Sequence, residues 1–266
     1  MKKQSRLDYL QELIAEANSI TIKDLAARLN VSVMTIRRDM EILEDSGLVR
    51  TYRGGVIVSE RNNRKPGSKG YSLTSAETTN VDEKRGIAKL AASLIVDGDV
   101  VFFDAGSTVE LILEHVDPNL EMTVLCYSLN IINHIAYRKN TRIVLSGGIF
   151  HPESQNFDSP EGLQLLSRNR SSKAFISANG IRVDLGVTSS GQSEIPIKRA
   201  AIENSAQSFL VADSSKCGLV RTGHFAEVDE FSSIITDWEL DEEMREKLIE
   251  SGATIMLAPK TPDNSF

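Results

Sequence analysis

Residues 30–55 read NVSVMTIRRDMEILEDSGLVRTYRGG. Val33, Ile36, Met40 and Leu43 recur at three- and four-residue spacing, the period of a helix with one inward face. Ser32 stands where an N-cap belongs, and Gly47 closes the segment. With that stripe turned inward, at about 100° per residue, Met34, Thr35 and Arg38 point away and Arg37 lies on the flank. Working outward, Leu7, Leu10, Leu13 and Ile14 mark an earlier amphipathic run from about Ser5 to Ala17. Thr21 can cap a second helix carrying Ile22, Leu25, Ala26 and Leu29, which Asn30 stops. Downstream, Leu48–Tyr52 and Val56–Val58 flank Arg53-Gly54-Gly55 as a hairpin. Two helices joined by a tight turn and followed by a hairpin make a winged helix-turn-helix, whose second helix enters a major groove.

The residue types suit that use. Arg grips guanine bidentately and Thr contacts a thymine methyl. Ser32 and the helix N-terminus suit a phosphate. Arg50, Arg53, Gly54 and Gly55 in the hairpin suit phosphate or the minor groove, since glycine allows close backbone approach. The plain alternative is a solvated bundle in which Arg38 pairs with Glu41 or Asp45 at helical spacing.

Net charge is −7, which argues against nucleic acid until the charge is divided. Residues 1–70 hold 13 Lys and Arg against 9 Asp and Glu, whereas residues 71–266 hold 17 against 28. Each part carries its own field, so a DNA partner fits the first. Apolar content of 41% and charged content of 25% are those of a globular protein. No apolar run approaches the roughly 18–20 residues of a membrane span. The opening MKKQSRLDYL is basic but no apolar stretch follows it, so a cytoplasmic protein without membrane contact is expected. Cys126 and Cys217 lie far apart and read as two buried or idle thiols in a reducing cytoplasm rather than a disulfide. With no His or base beside it, Cys217 reads as inert rather than a nucleophile. His115, His134, His151 and His224 lack metal-ligand spacing, and no phosphate-loop or dinucleotide motif occurs. Neither metal nor cofactor is expected.

Residues 60–70, ERNNRKPGSKG, have linker composition. Beyond them the pattern changes. Apolar strands at Val100–Asp104, Met122–Tyr127, Arg142–Ser146, Lys173–Ala178, Phe209–Asp213, Ser233–Thr236 and Ala253–Leu257 alternate with helical stretches at Glu83–Ile95, Leu129–Tyr137, Glu194–Ala206 and Glu239–Glu250. That order implies an α/β domain with a mostly parallel sheet covered on both faces. Four strands run into short polar turns: Ala105-Gly106-Ser107-Thr108, Ser146-Gly147-Gly148, Ala178-Asn179-Gly180 and Asp213-Ser214-Ser215-Lys216. Strand C-terminal ends share one edge of a parallel sheet, where ligands bind. Ser107 and Thr108 begin a helix whose positive end favours phosphate, and Lys216 adds charge. Asp104, Glu194 and Asp213 can accept sugar hydroxyls. Singly, each turn is ordinary punctuation, and Glu194 with Lys198 is an ordinary surface pair at i,i+4. Together they point to a pocket for a small phosphorylated, hydroxylated ligand.

The run from Ile22 through Gly55, with V-S-x-x-T-I-R-R-D-x-x-x-L-E-x-x-G-L-V-R and R-G-G, resembles the DeoR-type winged helix-turn-helix. The resemblance implies DNA-reading roles for Ser32, Thr35, Arg37 and Arg38. Further pieces, E-K-R-x-I-A, F-D-A-G-S-T, S-G-G, I-K-R-A and D-S-S-K, resemble the sugar-phosphate sensor domain of the same regulators. That domain is similar in fold to ribose-5-phosphate isomerase-like enzymes. By this resemblance Asp104, Gly106, Ser107, Thr108, Gly147, Gly148, Lys198, Asp213 and Lys216 are effector residues. One departure stands out: Cys126-Tyr127-Ser128-Leu129-Asn130 replaces the family's T-N-S-type turn, so Tyr127 is expected to reshape the pocket.

The expected organisation is a DNA-binding domain at 1–59, a linker at 60–70 and a sensor and oligomerisation domain at 71–266. The expected function is a repressor of a sugar or nucleoside catabolism operon. Its partners are double-stranded operator DNA, a phosphorylated sugar that releases it, and further copies of itself as a dimer or tetramer, because operators are read by symmetric oligomers. The alternative is a sugar-phosphate isomerase-type enzyme carrying a DNA-binding appendage, separable by an assay for turnover.

Overall fold

The computed structural model describes residues 6, 7, 9–11, 13, 14, 19–52, 55–58 and 73–260. Arg53, Gly54 and the 60–70 segment lie outside the described residues. Packing divides the chain into two compact units, Met1–Gly70 and Tyr71–Phe266.

In the first unit, strand β1 (Ser19–Thr21) leads into a helix at Ile22–Leu29, then a helix at Val33–Asp45, then strands β2 (Val49–Tyr52) and β3 (Gly55–Val58). The three strands form an antiparallel sheet in the order β1-β3-β2. Local chemistry sets these limits. Thr21 accepts the Asp24 amide at 3.0 Å, and Asn30 ends the first helix at φ 50°, the left-handed conformation that Asn tolerates. Ser32 caps the second by accepting the Thr35 amide at 3.1 Å. Leu7, Leu10, Leu13, Ile14, Leu25, Ile36, Met40, Leu43, Val49 and Val56 share one buried cluster.

Two expectations need correction. Val33 is 39% exposed, because it is the first residue of its helix and clears the cluster. Asp39 is buried instead, which only a partner permits: Arg6 donates to it from Nε at 2.6 Å and from a terminal nitrogen at 3.1 Å. Strand β1 is an addition with no helical or alternating period to announce it.

The second unit is built on a seven-stranded sheet. Its strands are β4 (Val100–Phe103), β5 (Met122–Cys126), β6 (Thr141–Leu145), β9 (Ser171–Ser177), β12 (Ser205–Val211), β14 (Ser233–Thr236) and β15 (Ile255–Leu257). The order is β15-β14-β12-β9-β4-β5-β6, and every pair is parallel. All seven expected strands are present. Alternate residues feed two separate cores: Val101, Phe103 and Phe175 join one, and Phe102, Ala174 and Ile176 the other. That alternation is the signature of a sheet covered on both faces. Phe103, Phe175 and Phe209 stack in register across three strands, with ring centroids 5.7 and 5.4 Å apart. A small antiparallel sheet, β10 (Gly180–Arg182), β11 (Gly186–Ser189) and β13 (Gly223–Ala226), and a hairpin, β7 (Ile149–His151) with β8 (Asn156–Asp158), complete the unit. From β4 the chain steps to β5 and β6, then returns to β9 on the other side of β4. The crevice between the C-terminal ends of β4 and β9 is therefore the point where strand order reverses, where open α/β sheets bind ligands.

Candidate functional sites

On the Val33–Asp45 helix, Met34, Arg37 and Arg38 are exposed on the face opposite Ile36, Met40 and Leu43. Neither arginine forms an ion pair among the described residues, so the pairing of Arg38 with Glu41 or Asp45 does not occur. Thr35 is half-buried, and its hydroxyl lies 2.9 Å from that of Ser32. These two expected DNA-reading residues thus form one hydroxyl pair at the helix start. Arg50 is exposed on β2. Its neighbour Thr51 donates to Glu44 from its amide at 2.9 Å and its hydroxyl at 2.6 Å. These bonds hold the Glu44 carboxyl below its ordinary value and tie the hairpin to the last turn of the helix. Arg53 and Gly54 lie outside the described residues.

In the sensor unit the reversal crevice is filled by a buried polar network. Asp104, directly after β4, has no exposed surface. One of its oxygens accepts the Tyr127 hydroxyl at 2.5 Å. The other accepts the Ser177 amide and hydroxyl, each at 2.7 Å, and Lys198 Nζ. Lys198 also donates to the Ser177 carbonyl at 3.0 Å and lies 3.6 Å from Glu194. Glu194 accepts Asn156 Nδ2 and the Ser189 hydroxyl, each at 2.9 Å. Burial pushes the Glu194 carboxyl up, with Lys198 opposing, and burial beside Asp104 pushes the Tyr127 hydroxyl well up. One expectation changes here: Lys198 and Glu194 are no surface pair, since Lys198 is 1% exposed. Asp104 is engaged internally at both oxygens, one taking a single donor and the other three.

Gly106 follows at φ +148°, where a side chain is strained, and a Cβ there would lie 3.0 Å from Ser177. It opens the Ser107–His115 helix without a side-chain cap, and Ser107 and Thr108 are buried at its start. First-turn amides of a helix have no partner within it, so an anion suits this turn.

The remaining expected residues flank the crevice. Gly147 and Gly148 are exposed after β6, and a Cβ on Gly148 would meet the Asp158 carbonyl at 2.0 Å. Asp213, after β12, accepts Asn80 Nδ2 at 2.8 Å and the Ser215 hydroxyl, with Lys216 Nζ 3.6 Å away. Burial works to raise the Asp213 carboxyl, but Lys216, Ser215 and Asn80 together hold it below its ordinary value. Lys84 is buried nearby and donates to the Ala76 carbonyl at 2.6 Å; burial lowers its pKa against the pull of Asp213. Strands β6 and β12 are four strand spacings apart, about 19 Å at the usual separation. The structure brings Asp104, Gly106, Ser107, Thr108 and Lys198 together and sets Gly147–Gly148 and Asp213–Lys216 on opposite flanks. A cavity of about 430 Å³ adjoins the Asp213 flank, lined by Asn80, Ser214, Ser215, Cys217 and three carboxylates. Sequence reasoning missed Asn80, Asn156, Ser177 and Ser189, which no motif linked to the rest, and it gave no site role to Lys84, which stands in the E-K-R-x-I-A piece. The two cysteines are free, and burial pushes each thiol up to about 12. Among the described residues, no group of His, Cys, Asp and Glu is placed to hold a metal, and no helix is long and apolar enough to cross a membrane.

Comparison with known proteins meets the same two units. Residues 6–62 match the DeoR-like helix-turn-helix domain and residues 79–238 the DeoR C-terminal sensor domain. The chain is 33% identical to the deoxyribose operon repressor of Escherichia coli K12 over 236 residues, 89% of this chain and 91% of that one. It is 35% identical to the lactose phosphotransferase system repressor of Staphylococcus epidermidis over 251 residues, covering 93% and 97%. It is 31% identical to the transcriptional regulator IolR of Bacillus subtilis over 256 residues, covering 96% and 100%. Among solved structures, ribose 5-phosphate isomerase A of Methanocaldococcus jannaschii aligns with a TM-score of 0.39 at 18% identity, covering 52% of this chain and 55% of that one. With both units matched in order along one chain, this protein belongs to the DeoR family of transcriptional regulators.

Proposed function

We propose that the chain represses a sugar or nucleoside catabolism operon and leaves its operator when a phosphorylated sugar binds the sensor unit. Its DNA-binding, sugar-responsive character follows from the family; the operon class and the phosphorylated effector are our reading. The observation that carries it is the contrast in charge placement. Arg37 and Arg38 stand exposed, unpaired among the described residues, on a capped recognition helix, as base-reading arginines must. The sensor instead keeps its charges at the reversal crevice, beside an uncapped helix start that suits a phosphate.

In this reading residues 1–59 read DNA, 60–70 link, and 71–266 sense and oligomerise as a dimer or tetramer. Ser32, Thr35, Arg37, Arg38, Arg50, Arg53 and Gly54 contact DNA. Gly106, Ser107 and Thr108 take the phosphate, and Asp104 with Lys198 acts as the buried brace that shapes the crevice. Gly147, Gly148, Asp213 and Lys216 belong to the flanks, where a small effector reaches one side at a time. Release requires the effector to prefer the DNA-free state: a tenfold loss of operator affinity needs about 1.4 kcal/mol of differential binding. The relatives compared above are named as repressors or regulators, so the isomerase alternative draws no support from them.

The test is a gel shift on DNA from the chain's own upstream region, with ribose, deoxyribose, glucose and galactose phosphates added singly. At least one should release the DNA at a concentration that also raises the thermal midpoint. Ser107→Ala should bind the same DNA and resist release. Tight DNA binding that no phosphorylated sugar alters, or turnover of one of them by the purified chain, would contradict the proposal.

A further inference from the structure

Four buried side-chain atoms at one end of the sensor sheet have no hydrogen-bond partner: Ser128 Oγ, Asn130 Oδ1, Ser146 Oγ and Asn156 Oδ1. Their residues are each 2% exposed or less. They come from three segments that the fold gathers at one place. Ser128 and Asn130 follow β5, and Ser146 follows its neighbour β6, where its amide donates to the Cys126 carbonyl at 2.9 Å. Asn156 begins β8 and is bridged to Ser128 through the backbone. Buried polar groups are nearly always paired, so four orphans at one strand-end edge call for a specific cause. Ser128 sharpens the point. It sits at the N-cap of the Leu129–Ile135 helix, yet its side chain makes no capping bond.

Chemistry fixes which way the two amides point. Asn130 donates through Nδ2 to Glu110 at 3.0 Å, and Asn156 donates through Nδ2 to Glu194 at 2.9 Å. An ionised carboxylate only accepts, so with each glutamate ionised its amide nitrogen faces the carboxylate and each Oδ1 faces away. The orphan set is therefore two fixed acceptors and two hydroxyls that can turn. A phosphate dianion, which only accepts, would meet two amide oxygens that repel it. A polyhydroxy group donates and accepts, and can satisfy all four. Through Asn156 and Glu194 this edge joins the Lys198–Asp104 brace, so a ligand seated here touches the network at the reversal crevice.

We propose that Ser128, Asn130, Ser146 and Asn156 form the hydroxyl-reading subsite of the sensor. They take adjacent hydroxyls of the sugar, while the phosphate lies away from them. The inference rests on the sensor reading above and adds to it the part that tells one sugar from another. It also gives the departure at Cys126–Asn130 a purpose, since that turn supplies two of the four groups.

The test uses the full chain, calorimetric titration and thermal melts, with inorganic phosphate, ribose 5-phosphate, 2-deoxyribose 5-phosphate and glucose 6-phosphate as probes. Ser128→Ala and Ser146→Ala each remove one hydroxyl and no bulk. Each should weaken binding of the sugar phosphate that the parent binds best by about three- to tenfold. Neither should lower the ligand-free melting temperature, because each deletes a buried unpaired group, and operator affinity should hold. Parent-like affinity in both variants would overturn the subsite alone. So would a lowered ligand-free melting temperature with unchanged affinity, since the hydroxyls would then serve the fold. A parent that binds none of the sugar phosphates would overturn the sensor reading and the subsite with it.

Discussion

The two units handle charge in opposite ways. In the first, Arg37 and Arg38 stand in solvent without an ion-pair partner among the described residues, and the buried Asp39 is tied to Arg6 to hold the fold. In the second, Lys198, Asp104 and Glu194 are buried together and bound to one another. A surface that must meet DNA keeps its charges free for phosphates and base edges. In the proposed effector site they lie inside, where removing one weakens the hold on the others. Substitutions in the two units should therefore fail differently.

The largest effect should come from Asp104→Asn. It removes the nearer of the two carboxylates beside the buried Lys198 ammonium and leaves Glu194 at 3.6 Å, and breaking such a buried pair costs about 3–5 kcal/mol. Urea unfolding should show that loss in the sensor transition, while Arg38→Ala should shift stability by no more than about 0.5 kcal/mol. Equal effects from the two would erase the contrast. Next in size, Arg38→Ala should lose about 1–3 kcal/mol of preference for operator over unrelated DNA, as a base-reading arginine does. Arg50→Ala should weaken both kinds of DNA alike and flatten the salt dependence. Competition binding at two salt concentrations separates these outcomes, and an unchanged preference in Arg38→Ala would move the reading face elsewhere.

A smaller effect tests the buried side through pH. Burial raises the Glu194 carboxyl above its ordinary 4.5. The folded chain therefore holds that proton after the unfolded chain has released it. Its contribution is fully present below about pH 4.5 and is lost as pH rises through the raised value. Glu194→Gln should remove that part of the slope when urea midpoints are compared between pH 4 and 7, in steps of about half a unit. A parent and variant with parallel pH profiles would mean that Glu194 is no more perturbed than a surface carboxylate.

The same contrast explains what could be read from the sequence. The recognition helix and the seven parallel strands follow local periods that survive folding, as Ile36-Met40-Leu43 and Val101-Phe102-Phe103 do. Ser32, Thr21 and Asn30 act on neighbours within four positions, so their capping roles were legible. The crevice network was not. Asp104 and Lys198 are 94 positions apart, and Asp104 and Ser177 are 73 apart. Glu194 and Lys198 carried a signal at i,i+4, but that spacing is shared with exposed pairs and says nothing of burial. Strands β1, β7, β8 and β10 are three residues each and fall outside the strand–helix alternation that marked β15, which is just as short. Val33 misled because a helical stripe extends past the point where the partner surface ends.

The most direct test of the account asks whether reading and release come apart. Operator affinity should be measured by fluorescence anisotropy for the parent, Arg38→Ala and Ser107→Ala, with and without the sugar phosphate that raises the parent's thermal midpoint most. The account predicts that the effector lowers the parent's operator affinity at least about tenfold. Arg38→Ala should keep the effector's thermal shift and lose operator preference, and Ser107→Ala should keep operator preference and lose release. If Ser107→Ala releases DNA at the parent's effector concentration, or Arg38→Ala loses the thermal shift, the division of labour between the two units is contradicted.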